Sequence, residues 1–125
     1  MYFYNNEAQY NTGTGVFVGS GASTVYVSGS NPWNPSDPPH YAYNNAYNGI
    51  WFEGSTNAVT LDGVRVCSNG NGAGVPPGNG YGVDFQSTSN LNLINGAVMS
   101  GNSPQNMSIA APAGYTITSC PTTGL

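Results

Sequence analysis

Gly49-Ile50-Trp51-Phe52-Glu53-Gly54-Ser55-Thr56-Asn57-Ala58-Val59-Thr60-Leu61-Asp62-Gly63-Val64-Arg65-Val66 is the stretch whose reading decides the fold. The chain repeats this sentence. Thirty-three residues on come Gly82-Val83-Asp84-Phe85-Gln86, then Ser87-Thr88, Leu91-Asn92-Leu93 and Gly96-Ala97-Val98-Met99. Thirty-four residues back come Gly15-Val16-Phe17-Val18, then Val25-Tyr26-Val27 and Gly29. A weaker echo closes the chain: Met107-Ser108-Ile109, then Tyr115-Thr116-Ile117. A fixed period of this kind is the signature of a solenoid and takes precedence over local readings.

Within each repeat the apolar residues alternate over three to five positions. Ile50 and Phe52 face one way, Trp51 and Glu53 the other; Val59 and Leu61 face in, as do Val64 and Val66. Alternation this short means short strands with one buried face, and the Gly, Ser, Thr and Asn clusters between them mean turns. Three short strands per repeat describe one coil of a parallel β-helix, with coils ~4.8 Å apart and like residues stacked. The expected columns are Val16-Ile50-Val83-Met107 and Val18-Phe52-Phe85-Ile109, then Val25-Val59-Leu91-Tyr115 and Val27-Leu61-Leu93-Ile117. The offset slips by one residue between Phe85 and Leu91 and recovers at Gly96.

The pattern G-[IV]-x-F-x-x-S-T-N-x-[VL]-x-[IL]-x-G-[VA]-x-[VM] resembles right-handed parallel β-helix, pectate-lyase-like proteins. Among those it is most similar to bacteriophage tail-spike and tail-fibre proteins, over about residues 13–119. The resemblance implies an all-β, right-handed parallel β-helix of about three to four coils with three short strands per coil. The fold carries lyases, hydrolases, adhesins and structural shafts alike. The role it implies first is host-surface glycan recognition or a rigid shaft, in a homotrimer on a virion tail. A bacterial surface or secreted adhesin, or a glycan-degrading hydrolase or lyase, stands beside it.

The 125 residues suggest a single domain, 1–125, expected to be a fragment of a longer chain. Coils are expected near 13–29, 49–66, 82–99 and 107–119, with long loops at 30–48 and 67–81. Tyr2-Phe3-Tyr4 is expected as the third strand of an incomplete first coil. Both long loops are expected to leave the same corner and to lie side by side over the face carrying Trp51, Glu53, Asp84 and Gln86.

Charged residues are only 5% of the chain, against ~25% in an ordinary soluble domain. Arg65 is the single cation besides His40, and the net charge is −4. Nucleic acid is therefore not an expected partner, because neutralising phosphates takes several cations. No apolar run approaches the ~20 residues of a membrane-spanning helix, so membrane insertion is not expected. Cys67 ends a third strand, and Cys120 falls near the position of Gly96, about two coils beyond it. Two coil rises make roughly 10 Å, more than a disulfide spans, so two free thiols are expected.

Two groups of residues are candidates for chemistry. Glu53 and Asp84 point outward from the first-strand sheet with ~8 Å between Cα atoms, from strand spacing and rise. Inverting glycosidases hold their carboxyls roughly 6.5–9.5 Å apart, so the pair passes a crude test for acid/base cleavage. Two acids meeting by chance on a solvated face is the competing reading. The second group is aromatic: Trp33, His40, Tyr41, Tyr43, Tyr47, Trp51 and Tyr81. Tyr and Trp faces stack on sugar rings while their polar tips reach hydroxyls, so these residues are candidates for binding a cell-surface polysaccharide. Packing against a neighbouring subunit would use them equally well. Asn57 and Asn90 are candidates for an asparagine ladder inside a turn. No metal site and no cofactor are expected: no three or four acids cluster, and a lone histidine does not make a site.

Overall fold

A computed structural model of the chain describes residues 2–4, 7–19, 21, 23–29, 41–53, 56–70, 80–86, 88–94, 97–103, 105–109 and 117–120. All regular structure among them is strand. In chain order the strands are β1 (Tyr2–Tyr4), β2 (Glu7–Gln9), β3 (Val16–Val18), β4 (Thr24–Ser28), β5 (Tyr41–Tyr43) and β6 (Ile50–Phe52). They continue with β7 (Thr56–Asp62), β8 (Arg65–Cys67), β9 (Val83–Phe85), β10 (Thr88–Ile94), β11 (Ala97–Ser100) and β12 (Ile117–Thr118).

These strands form three sheets, and every pairing is parallel. The first sheet is β3-β6-β9, the second β1-β4-β7-β10, the third β12-β11-β8-β5-β2. Each strand pairs with its equivalent one repeat away, an all-β arrangement consistent with a parallel β-solenoid. The columns follow the repeat. Val16, Ile50 and Val83 are in register, and Val83 bridges to Met107. Val18, Phe52 and Phe85 form the next column. The one-residue slip is real: Leu91 pairs with Val59, an offset of 32, while Val98 pairs with Arg65, an offset of 33.

The core sits between the sheets. Val25, Ile50, Phe52, Leu61, Val64, Val66 and Val83 are wholly buried, each a burial of about 1.5–3 kcal/mol. The Phe52 and Phe85 rings stack with centroids 5.1 Å apart and planes 6° apart, so the two repeats meet ring on ring in that column.

Several expectations are corrected. Tyr2–Tyr4 is a second-sheet strand, with Tyr2 paired to Tyr26; the third-sheet strand of that repeat is β2, whose inward residue is the small Ala8. Ile117 pairs with Ala97 in the third sheet, not with Leu93 in the second. Tyr115, expected above Leu91, lies outside the described residues. Tyr41–Tyr43, inside the stretch read as a loop, is strand β5. The two insertions therefore leave different corners. Residues 30–40 fall between second and third sheets, and residues 71–79 between third and first.

The thiols are also corrected: Cys67 and Cys120 form a disulfide with Cα atoms 6.1 Å apart. Two coil rises would separate them only if Cys120 lay in the sheet. In fact β12 ends at Thr118, and the Cys120 N–H donates to the Ser100 hydroxyl at 2.8 Å rather than to a ladder carbonyl. Ser100 is the register partner of Cys67, so the departing chain crosses the end of β11 toward Cys67.

Candidate functional site: the corner between the third and first sheets

One turn is built the same way four times. After β2, β5, β8 and β11 a residue adopts the left-handed conformation: Tyr10 (φ 57), Asn44 (φ 51), Ser68 (φ 57) and Gly101 (φ 68). The next residue is always asparagine: Asn11, Asn45, Asn69, Asn102. The left-handed residue folds the chain back so that the asparagine side chain points under the turn, between the sheets.

There the asparagines form a continuous ladder. The Asn11 amide donates to Asn45 Oδ1 at 2.8 Å, Asn45 to Asn69 Oδ1 at 2.9 Å, Asn69 to Asn102 Oδ1 at 2.9 Å, and Asn102 to Asn106 Oδ1 at 3.0 Å. The second amide hydrogen goes back to the inward residue of the preceding strand. Asn45 donates to the Ala8 carbonyl, Asn69 to Ala42, Asn102 to Val66 and Asn106 to Met99, at 2.9, 2.7, 2.8 and 3.3 Å. Each of Asn45, Asn69 and Asn102 also accepts a backbone N–H from the ladder residue before it. Both donors and the oxygen of a buried amide are thus used, which is what its burial requires.

The repeating glycine that opens each first-sheet strand is explained by the ladder. A Cβ on Gly49 would stand 2.7 Å from Asn69 Nδ2 and from the Gly82 carbonyl, and Gly15 and Gly82 meet Asn45 and Asn102 in the same way. The ladder expected at Asn57 and Asn90 falls on side chains outside the described ones. The signal for the real ladder was present as an inward residue followed by x-x-Asn: Ala8 to Asn11, Ala42 to Asn45, Val66 to Asn69, Met99 to Asn102.

On the outside of this corner lies an open groove of about 330 Å³, lined by Tyr10, Asn11, Thr12, Asn44, Asn45, Ala46 and Ser68. None of these side chains is charged. Tyr10 is 65% exposed and meets the Tyr43 ring edge-on at 5.8 Å. Sequence reasoning named Tyr43 but missed Tyr10, because nothing in a lone Tyr-Asn dipeptide marks a left-handed corner.

The other candidates are distributed around the molecule. Trp33 and His40 lie outside the described residues. Tyr41 is on β5, in register with Arg65, and its side chain is outside the described ones. Tyr47 and Tyr81 are half-buried in the corner; the Tyr47 N–H donates to the Gly13 carbonyl at 3.1 Å, and the Tyr81 N–H to Asn48 Oδ1 at 2.9 Å. Trp51 projects from the first sheet, its ring 4.9 Å from that of the exposed Phe17, with its indole Nε1 buried and without a hydrogen-bond partner among the described residues. Asp84 is the register neighbour of Trp51 and accepts from Asn48 Nδ2 at 3.2 Å. Glu53 is half-buried just past β6, its N–H donating to the Val18 carbonyl at 2.9 Å. Tyr41 and Tyr43 thus belong to the third sheet, while Trp51 and Asp84 belong to the first and Glu53 follows its strand β6.

Among the described residues no three His, Cys, Asp or Glu side chains group as metal ligands, and no helix is long and apolar enough to cross a membrane. No family model matches the chain, and no curated protein or solved structure matches it.

Proposed function

We propose that the chain is a right-handed parallel β-helix segment of a surface spike or fibre, of the kind bacteriophages carry on their tails, serving as a rigid shaft that meets host glycans. The observation that carries this reading is the asparagine ladder running from Asn11 to Asn106 beneath the corner. It ties successive repeats side chain to side chain, in addition to the backbone ladders of three sheets. A chain with 5% charged residues can build few ion pairs, and the ladder adds stiffness of another kind. The low charge also leaves the sheet edges without their usual electrostatic protection, which favours a homotrimer whose subunits cover one another.

The disulfide favours a second location for the same role. Such bonds persist on virions, on cell surfaces and in secreted proteins, so a bacterial surface or secreted adhesin shares the support. The native mass by light scattering or sedimentation tests the spike reading. A trimer is expected, and a monodisperse monomer would overturn it.

A further inference from the structure

We propose that the groove outside the asparagine corner is a binding site for a neutral sugar, with the Tyr10 ring as its stacking platform and Asn44 and Thr12 as its hydrogen-bonding groups. The proposal rests on the glycan-recognition part of the reading above and adds to it a place and a ligand class.

Tyr10 sits at φ 57, a region that bulky residues rarely occupy and that costs on the order of 1 kcal/mol or more. The fold does not need a ring at this position, since Gly101 fills the equivalent place at φ 68 and Ser68 fills another at φ 57. What the left-handed backbone does achieve is to hold the ring out from the corner, 65% exposed and braced edge-on by Tyr43. A fixed, exposed aromatic face beside polar groups suits a ring with one apolar face and a rim of hydroxyls.

Asn45, the floor, has its oxygen and both amide hydrogens committed to Asn11, Asn69 and Ala8. The side chains of Asn44 and Thr12 make no hydrogen bond among the described residues, and Asn11 uses its amide nitrogen while its oxygen accepts nothing there. The side chains of Asn44 and Thr12 and the Asn11 oxygen therefore converge on the groove. With no cation in the lining, the site has nothing to pair with a carboxylate or sulfate, so the fitting ligand is an uncharged sugar. Its volume falls at the small end of the ~300–1,000 Å³ range of small-ligand sites, room for one or two sugar rings.

Saturation-transfer NMR on the whole chain tests this. The probes are maltose, lactose, mannobiose and diacetylchitobiose, with glucuronic acid as the charged comparison. At least one neutral disaccharide is expected to receive saturation. Tyr10→Gly, which also relaxes the left-handed backbone, is expected to weaken it about tenfold with no loss of thermal midpoint, since stacking contributes at about that level. Tyr10→Phe keeps the ring and is expected to keep binding; Asn44→Gly is expected to weaken it several-fold. A disaccharide bound equally by the Tyr10→Gly chain overturns this groove while leaving glycan recognition standing. Preferential binding of glucuronic acid overturns the neutral-sugar assignment. Absence of binding to the unaltered chain overturns both the groove and the glycan role, leaving the shaft.

Discussion

The Asn69 amide donates to Asn102 Oδ1 at 2.9 Å, and both side chains are shut away from solvent. The same amide donates to the Ala42 carbonyl, and its oxygen accepts from the Asn45 backbone and side chain. Asn69→Ala would strand the Ala42 carbonyl and the backbone and side-chain N–H groups of Asn45, while Asn102 Oδ1 keeps the Asn69 backbone N–H. Leaving such a group unpaired costs about 1–3 kcal/mol, so a loss of about 3 kcal/mol in urea denaturation is expected. Asn92→Ala, on the exposed face of β10, is expected to stay within about 0.5 kcal/mol. Equal effects at the two positions would mean that the ladder adds nothing.

Gly49→Ala tests the packing of the ladder from the other side. Its new methyl would meet Asn69 Nδ2, the Gly82 carbonyl and Val66 Cγ1, each at 2.7 Å, and two of these belong to fixed backbone or ladder. A destabilisation of about 1–3 kcal/mol is expected, as for other overpacked sites. Gly13→Ala, where nothing lies within 4 Å of the added carbon, should be close to neutral. Thermal midpoints of the two variants, recorded side by side, decide it.

Reduction of the disulfide should be costly. Cys67 and Cys120 are 53 residues apart, and closing a loop of that size stabilises by about 4 kcal/mol in the chain-entropy account. Cys120→Ser, or reductant added to the unaltered chain, is expected to lower the thermal midpoint. Hydrogen exchange should then quicken first at Ile117 and Thr118, the two residues of β12. An unchanged midpoint would show that the bond does not form in solution.

The carboxylates give a test of catalysis. If Glu53 and Asp84 cleave a glycan, reducing ends should appear with time and vanish in Asp84→Asn. Because the shaft reading assigns them no chemistry, we expect no release of reducing ends from neutral polysaccharides. We also expect disaccharide binding unchanged in Asp84→Asn and Glu53→Gln. Turnover abolished by Asp84→Asn would replace the shaft with a depolymerase.

The repeat was legible because burial writes itself into sequence at fixed spacing. Ile50 and Phe52 must point inward, and so must Val83 and Phe85 a repeat later. Strands β2 and β5 were not legible, because each has one inward residue, and in both it is alanine. The ladder was hidden for a different reason. Asparagine is common in turns for its own sake, and only the recurring x-x-Asn after an inward residue separates a stacked amide from a solvated one. The disulfide escaped because it depends on where a short terminal strand leaves its sheet, which no periodicity encodes. The groove escaped because it follows from the backbone angle at Tyr10.

The bond between Cys67 and Cys120 also sets the route that a mechanical pull takes. In the third sheet β11 lies between β8 and the departing β12, so the bridge spans that strand. Tension applied beyond Cys120 passes through the sulfurs to Cys67 and bypasses the 53-residue path between them. Rupture under load therefore cannot begin by peeling β12, β11 and β10 in turn. It must start upstream of Cys67, where the remaining ties are hydrogen bonds and stacked apolar side chains.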